Sequence, residues 1–208
     1  MGWTYYWHSP WDGQRGDWET PDDRNAHGGT PLVPWYLQQM RAYQQAHGQR
    51  ILDFLDLHYY PAAPDVALAD AGDAATQALR LRSTRSLWDP TYVDESWIAD
   101  AGPENGIVLL LPRMRAWVNT NYPGTKLAIT EYNWGAPEHI NGALAQADVL
   151  GIFGREGLHL ATLWSPPAAN QPVAFAFRMF RNYDGAGGHF GETSIRSVSS
   201  DQGRLAIY

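Results

Sequence analysis

Hydrophobic residues recur along this 208-residue chain with two different periods, one typical of helices and one typical of strands. Four stretches have an apolar side chain every three or four positions and are predicted as helices: residues 32–47, 107–120, 141–156 and 173–183. Three shorter, largely apolar stretches are predicted as strands: residues 51–60, 126–135 and 159–164. Because strands and helices alternate along the chain, we predict an α/β fold with a parallel sheet.

The segments outside this alternation divide the chain into two predicted regions. Residues 1–30 are dense in Trp, Gly, Asp and His and have no lasting period, which predicts a long functional loop. Residues 62–103 are too long for an ordinary connection and are predicted to form an elaborated loop with a helix-compatible part at 65–81. After residue 184 the composition shifts to Ser, Thr and short alternation, which predicts antiparallel strands. We therefore predict one domain over 1–184 and the beginning of a β-strand region over 185–208.

The strand at 126–135 ends in a carboxylate, Glu131, followed by aromatic and amide side chains. In a regular strand, Leu127, Ile129, Glu131 and Asn133 share one face, and the residues between them share the other. Parallel α/β sheets place functional groups at the carboxyl ends of their strands. The alternative is that Glu131 is a solvated strand-end residue paired with a nearby cation.

The strand at 51–60 has a polar face formed by Asp56, His58 and Tyr60. An unpaired buried polar group costs about 1 to 3 kcal/mol, so this face requires partners or a substrate. A satisfied core pair of Asp56 and His58 is the alternative. Trp164 ends the third strand in the same way as Glu131 ends its own, with core packing as the alternative to a binding role.

Composition excludes several classes of protein. The chain has no cysteine, so it has neither disulfides nor a thiolate metal site. Its net charge of -7 argues against binding to nucleic acid or to an anionic membrane surface. No apolar run approaches the roughly 20 residues of a membrane span. The first residues have neither the charged region nor the apolar region of a signal peptide.

The motif Thr130-Glu131-Tyr132-Asn133-Trp134-Gly135, together with residues 136–154, closely resembles the family 44 glycoside hydrolases. The resemblance extends over nearly the whole chain, through the segments LDFLDLHYYP, SLWDPTYVDESWI and FRMFRNYDG. It implies a (β/α)8 TIM barrel with an accessory β-sandwich, and hydrolysis of β-1,4-linked glucans with retention of configuration. It implies that Glu131 is the catalytic nucleophile. The residues expected to bind substrate are Asp56, His58, Tyr60, Trp88, Asn133, Trp134 and Trp164.

Only three parallel strands are predicted, whereas a closed barrel of this kind typically needs about 250 residues. The resemblance implies that the chain is the carboxyl-terminal half of the catalytic domain, with the last three to four βα units. The acid/base Glu is then expected upstream of Met1, and we expect the isolated chain to be inactive. A retaining glycosidase needs two carboxyl groups about 5 to 5.5 Å apart. Within this chain Asp56, Glu95 and Glu138 are the alternatives for the second one.

The sequence is also compatible with a second class of function and disfavours a third. A non-catalytic carbohydrate-binding domain would use the same aromatic cleft without any chemistry. A metal-dependent barrel enzyme is disfavoured because the seven His residues have no metal-binding spacing. We expect no cofactor, although a structural calcium ion is compatible with the loop carboxylates. The resemblance further implies a β-1,4-glucan substrate, a monomeric full-length enzyme and secretion from the cell.

Overall fold

A computed structural model describes residues 22–100, 104–191, 193, 195, 197–201 and 205–208. The helices in this part are α1 (Asp22–Ala26), α2 (Leu32–His47), α3 (Ala74–Ser83), α4 (Leu110–Asn121), α5 (Ile140–Arg155) and α6 (Pro172–Phe180). The strands are β1 (Phe54–Tyr59), β2 (Lys126–Tyr132) and β3 (Leu160–Leu163). Short 3-10 turns occupy Thr84–Leu87, Trp97–Asp100 and Glu104–Gly106. The predicted loop at 1–30 lies largely outside the described residues.

The three strands form one parallel sheet in the order β1-β2-β3. Helix α4 precedes β2 and helix α5 connects β2 to β3, so strands and helices alternate as the sequence predicts. The α/β class is therefore confirmed. Leu55, Leu57 and Tyr59 are buried along β1, while the side chains between them are exposed, as the two-residue period of a strand requires.

Helix ends follow the local sequence signals closely. Helix α2 ends at Gly48, which adopts a left-handed conformation with φ of 70° and donates its N–H to the Gln44 carbonyl. Helix α3 begins later than the predicted stretch at 65–81. The reason is that Asp73 caps it, accepting a hydrogen bond from the Thr76 N–H at 2.8 Å. The preceding residues form turns in which Asp65 and Leu68 have positive φ.

The chain divides into two compact units, and the first contains residues 1–57 and 86–128. Helices α2 and α4 pack together in it. Two side-chain hydrogen bonds join them, from Gln38 to Asn121 at 2.8 Å and from Tyr122 to Gln44 at 2.6 Å. Buried apolar side chains line these helices: Leu37, Leu110, Leu111, Met114 and Val118.

The second unit contains residues 58–85 and 129–208. Helix α5 packs against both α3 and α6. The inner face of α5 is buried through Ala145, Val149, Ile152 and Phe153, and the Phe153 ring meets Tyr132 edge to face at 5.1 Å between centroids. This packing supports the carboxyl end of β2 from the helix side.

The region after residue 184 has a single bridge, between Arg181 and His189, and no strand among its described residues. Part of the predicted turn, residues 202–203, lies outside the described residues, so the β-strand region stays a prediction. Tyr208 contacts α5 by donating a hydrogen bond to Asp148 at 2.5 Å. No helix in the described part of the chain is long and apolar enough to cross a membrane.

Candidate active site

The carboxyl end of β2 presents Glu131 to His58 of β1. The His58 Nδ1 lies 2.7 Å from the Glu131 Oε2. The Glu131 side chain is 25% exposed and that of His58 is 47% exposed. The carboxylate is thus held in one orientation and is still open to a ligand. Among the described residues Glu131 has no ion pair with an Arg or Lys, and its partner is the His58 imidazole.

The His58 ring also lies beside Thr130, with 3.3 Å between Nε2 and the hydroxyl oxygen. A His58 ring with its proton on Nδ1 would donate to the carboxylate and accept the Thr130 hydroxyl proton at Nε2. Two consecutive residues of β2 therefore reach the same imidazole. The prediction that Thr130 and Glu131 point to opposite faces is wrong at this position. Strict alternation fails where the strand is about to turn.

Tyr60 follows β1 and is half-buried. Burial raises the pKa of its phenol, and the negative charge of Glu131 raises the pKa further. Tyr60 therefore remains a neutral hydrogen-bonding group at neutral pH. Glu131 therefore contacts His58 and acts electrostatically on Tyr60.

Trp164 follows β3 and is 50% exposed. The backbone N–H of Trp164 donates to the Tyr132 carbonyl at 3.0 Å, which extends the pairing between β2 and β3 by one residue. Ser165 next to it has φ of 64°, so the chain turns sharply after the tryptophan. Among the described residues Trp164 is only partly covered, and its predicted role in sugar binding and the core-packing alternative both stay predictions.

Asn133 connects the ends of β2 and β3. Its amide Nδ2 donates to the Trp164 carbonyl at 2.7 Å, and its Oδ1 accepts from the Gly135 N–H at 2.6 Å. Both polar groups of the side chain are therefore used inside the protein. A cavity of about 210 Å³ lies beside it, between Leu163 and helices α5 and α6, with Ser165, Pro166 and Pro167 on its wall.

The structure corrects the expectation for Trp134. Its ring is 2% exposed, packs against Tyr59 and Tyr132, and donates its indole N–H to the Ser83 hydroxyl at 3.0 Å. A sugar cannot stack on a ring that is already covered. Trp134 is therefore a core residue of the second unit that supports the turn after Glu131.

Sequence reasoning missed Arg80, which is fully buried in helix α3. Its guanidinium donates to six oxygen atoms at 2.7 to 3.3 Å: the carbonyls of Asp65, Val66, Asp70, Ala71 and Trp134 and the side-chain Oδ1 of Asn141. Burial lowers the pKa of Arg80, although a guanidinium remains charged in proteins. The acceptors are mainly backbone atoms, so no residue-type pattern could have revealed them.

The remaining candidate residues are not brought to this site by the described contacts. Asp56 is exposed on the same strand as His58, and Trp88 is half-buried in the first unit. Their predicted roles in substrate binding stay predictions. Neither Asp56 nor His58 is buried, which excludes the core-pair alternative. Within the described residues, no cluster of three or more His, Cys, Asp or Glu side chains is arranged to hold a metal ion.

Comparisons with known proteins agree with the motifs in the sequence. Residues 1–63 match the family model described as glycoside hydrolase family 44. Endoglucanase A of Paenibacillus lautus is 38% identical over 181 residues, which cover 85% of this chain and 26% of that protein. The structure of CelM2, a bifunctional glucanase-xylanase protein from a metagenome library, is 48% identical and has a TM-score of 0.83. That similarity covers 89% of this chain and 34% of CelM2.

A further structural relative is the Paenibacillus polymyxa xyloglucanase from glycoside hydrolase family 44, with 37% identity and a TM-score of 0.79. It is matched over 89% of this chain and 37% of its own length. The chain thus spans about a third of the length of the solved relatives and a quarter of the endoglucanase. The motif around Glu131, the family model and the similarity in sequence and structure all agree: over most of its length the chain is similar to proteins of glycoside hydrolase family 44.

Proposed function

We propose that this chain is the carboxyl-terminal half of the TIM-barrel catalytic domain of a retaining endo-β-1,4-glucanase that acts on cellulose or xyloglucan. The observation that carries the proposal is the Glu131 carboxylate, oriented by His58 at 2.7 Å at the carboxyl end of β2. The neighbouring strand β3 ends in the half-exposed Trp164. The names of the relatives, which include an endoglucanase and a xyloglucanase, support a β-glucan substrate.

In the proposed reaction, Glu131 attacks the anomeric carbon as the glycosidic bond breaks and forms a glycosyl-enzyme ester. Water then cleaves the ester with retention of configuration. His58 donates to Oε2 and thereby fixes the carboxylate plane, which leaves Oε1 as the attacking atom. In this mechanism Tyr60, whose pKa is raised by burial and by the charge of Glu131, donates a hydrogen bond to a substrate hydroxyl or to the carboxylate.

The leaving oxygen needs a proton from a second carboxyl group. We propose that this group belongs to a part of the polypeptide outside these residues. The match to only about a third of the solved relatives supports this. So does the exposure of Leu160, which is 46% exposed on the edge strand β3. An apolar residue on an open sheet edge is expected where further strands complete a sheet. The isolated chain is then inactive.

In the test, this chain is fused to the part of the Paenibacillus polymyxa xyloglucanase that precedes the matched region. This fusion is called the joined protein. Reducing-sugar release from xyloglucan and carboxymethylcellulose is measured, and NMR of the first-formed product identifies the anomer. We expect activity in the joined protein and none in the chain alone. Glu131→Gln is expected to lower kcat by more than about a thousandfold. Glu156→Gln is the matched control, because Glu156 follows helix α5 and pairs with Arg155 at 3.0 Å. Glu138→Gln tests the exposed carboxylate that the sequence leaves as an alternative.

Full activity of Glu131→Gln, or an inverted product, would contradict the proposed mechanism. Loss of activity in Glu138→Gln alone would move the role to that residue. Glucan binding by the 208-residue chain with no turnover in any joined protein would instead support the non-catalytic carbohydrate-binding domain. We further expect secretion, a monomeric complete enzyme and no nucleic-acid or membrane partner. Cofactor independence and a structural calcium ion are tested by assays with and without a chelator.

A further inference from the structure

The Asn133 side chain replaces a backbone hydrogen-bond donor at the end of the sheet. The Trp164 N–H pairs with the Tyr132 carbonyl at 3.0 Å, so a continuing parallel ladder would next pair the Trp164 carbonyl with a backbone N–H of the β2 chain. The chain after β2 instead turns away, with φ of 75° at Gly135 and 51° at Ala136. The Asn133 Nδ2 supplies the missing donor at 2.7 Å.

The frame that holds Asn133 is itself fixed. Its Oδ1 accepts the Gly135 N–H at 2.6 Å, the Ala136 N–H donates to the Ala69 carbonyl at 2.6 Å, and Arg80 donates to the Trp134 carbonyl at 2.7 Å. Each backbone group of this turn that is named here has a partner within the second unit. The Asn133 side chain therefore links the end of β2 to the end of β3 through hydrogen bonds at both of its polar atoms.

The backbone of Trp164 has hydrogen bonds to Asn133 and Tyr132 just before the chain turns at Ser165. Ser165 immediately after it has φ of 64°, a conformation that non-glycine residues rarely adopt. Trp164 is 50% exposed, so packing against the described residues covers only part of it. The two hydrogen bonds to the Trp164 backbone, one from Asn133 and one to Tyr132, hold the residue that carries the ring.

We propose that Asn133 is a positioning residue for a sugar-binding platform formed by the Trp164 ring. This differs from the sequence expectation that Asn133 contacts substrate hydroxyls or orients the nucleophile. The ligand class is a β-linked gluco-oligosaccharide, whose apolar ring face stacks on indole. The platform's use for sugar rests on the proposed function, whereas the ordering of Trp164 by Asn133 does not.

The decisive variant is Asn133→Asp. A carboxylate keeps an oxygen for the Gly135 N–H but places a second oxygen against the Trp164 carbonyl, where it has no proton to donate. In the ¹⁵N-labelled 208-residue chain, the Trp164 indole signal is identified by its absence in Trp164→Phe. We expect Asn133→Asp to broaden or shift this signal and to speed amide exchange at Trp164. Lowering the pH until the introduced carboxyl is protonated restores a donor and should reverse both changes.

The second measurement is titration with cellohexaose. We expect Asn133→Asp to weaken binding about tenfold, since one hydrogen bond is lost. In a Trp164→Ala background, Asn133→Asp is expected to have no further effect, because the ring through which it acts is gone. An equal effect in both backgrounds would mean that Asn133 contacts sugar directly and would overturn the proposal.

A failure of the positioning role and a failure of the proposed function give different results in these measurements. An unchanged Trp164 indole signal in Asn133→Asp overturns the positioning role, whatever the result of the cellohexaose titration. Absence of cellohexaose binding to the unaltered chain and to the joined protein counts against the proposed function and against the platform. Signal changes that persist at low pH would show a general disturbance of the turn and would also overturn the specific role of the Nδ2 donor.

Discussion

Two charged sites in the second unit have opposite designs. Arg80 is fully buried, and its guanidinium donates to six oxygen atoms. Glu131 and His58 form a single short contact, and their side chains are 25% and 47% exposed. The first site is closed and its donors are used within the protein. The second is open and its carboxylate retains an oxygen for a ligand.

This difference separates charges that stabilise the fold from charges that are available for catalysis. A buried charge is tolerated only when hydrogen bonds replace its lost hydration, and Arg80 meets that condition through carbonyls of residues 65–71. An exposed pair costs little to maintain and contributes little to stability. We therefore expect Arg80 to govern folding, and Glu131 and His58 to govern activity. The following variants test that division, from the largest expected effect to the smallest.

Arg80→Met should give the largest loss of stability. Methionine fills similar volume but leaves six acceptors without their donor, and breaking a buried charged network typically costs about 3 to 5 kcal/mol. The free energy of unfolding is measured by urea titration followed by circular dichroism. Arg82→Met, an exposed position of the same helix, is the control and should change stability by less than about 0.5 kcal/mol. Equal effects of the two variants would contradict the division.

Gly135→Ala should come next. Gly135 has φ of 75°, and an added Cβ would lie 2.3 Å from the Val66 carbonyl oxygen and 2.7 Å from that of Ala69. The left-handed conformation alone costs about 1 to 2 kcal/mol for a non-glycine residue, and the clash adds to it. Gly154→Ala is the control, because its Cβ would meet nothing within 4 Å and alanine favours a helix. Heat denaturation measures Tm, which should be lower in Gly135→Ala than in the unaltered chain and unchanged or higher in Gly154→Ala.

Tyr132 provides a test through pH. It lies next to Glu131 but is buried against α5, where Gln146 donates to its hydroxyl at 2.9 Å, and burial raises the pKa of the phenol to about 12. Between pH 10 and 12 the unfolded chain loses this proton and the folded chain keeps it. Stability is therefore fully present below pH 10 and falls as pH rises, by about 2 to 3 kcal/mol in all.

The measurement is urea unfolding at several pH values between 8 and 12, for the unaltered chain and for Tyr132→Phe. The pKa of Tyr208 is also raised by burial, but Tyr208 is present in both proteins and cancels in their difference. At pH 8 the variant should be less stable by about 1 kcal/mol, through loss of the hydrogen bond. That deficit should shrink and then reverse as pH rises. A pH-independent difference would mean that Tyr132 ionises in the folded state as readily as in the unfolded state.

The sequence predicted what depends on local periodicity. The strand and helix positions and the alternation of apolar and polar side chains along β1 follow from side-chain spacing. It did not predict what depends on partners distant in the chain. Five of the six Arg80 acceptors are backbone carbonyls, including that of Trp134, which is 54 residues away. The Trp134 indole donates to Ser83, 51 residues away, and the Asn133 amide donates to Trp164, 31 residues away. Trp and Asn suit a sugar site and a core equally well, so residue type alone could not separate these roles.

His58→Gln should have the smallest effect on stability and a clear effect on function. The imidazole is about half exposed, and its contacts with Glu131 and Thr130 are largely open to solvent. We expect the free energy of unfolding to change by less than about 0.5 kcal/mol. Glutamine can still donate to the carboxylate, but its flexible amide does not fix the carboxylate plane as the imidazole does. In the joined protein kcat should therefore fall by about 10- to 100-fold with little change in KM. A loss of stability approaching that of Arg80→Met would mean that the open site is part of the scaffold, and the distinction between the two charged sites would then fail.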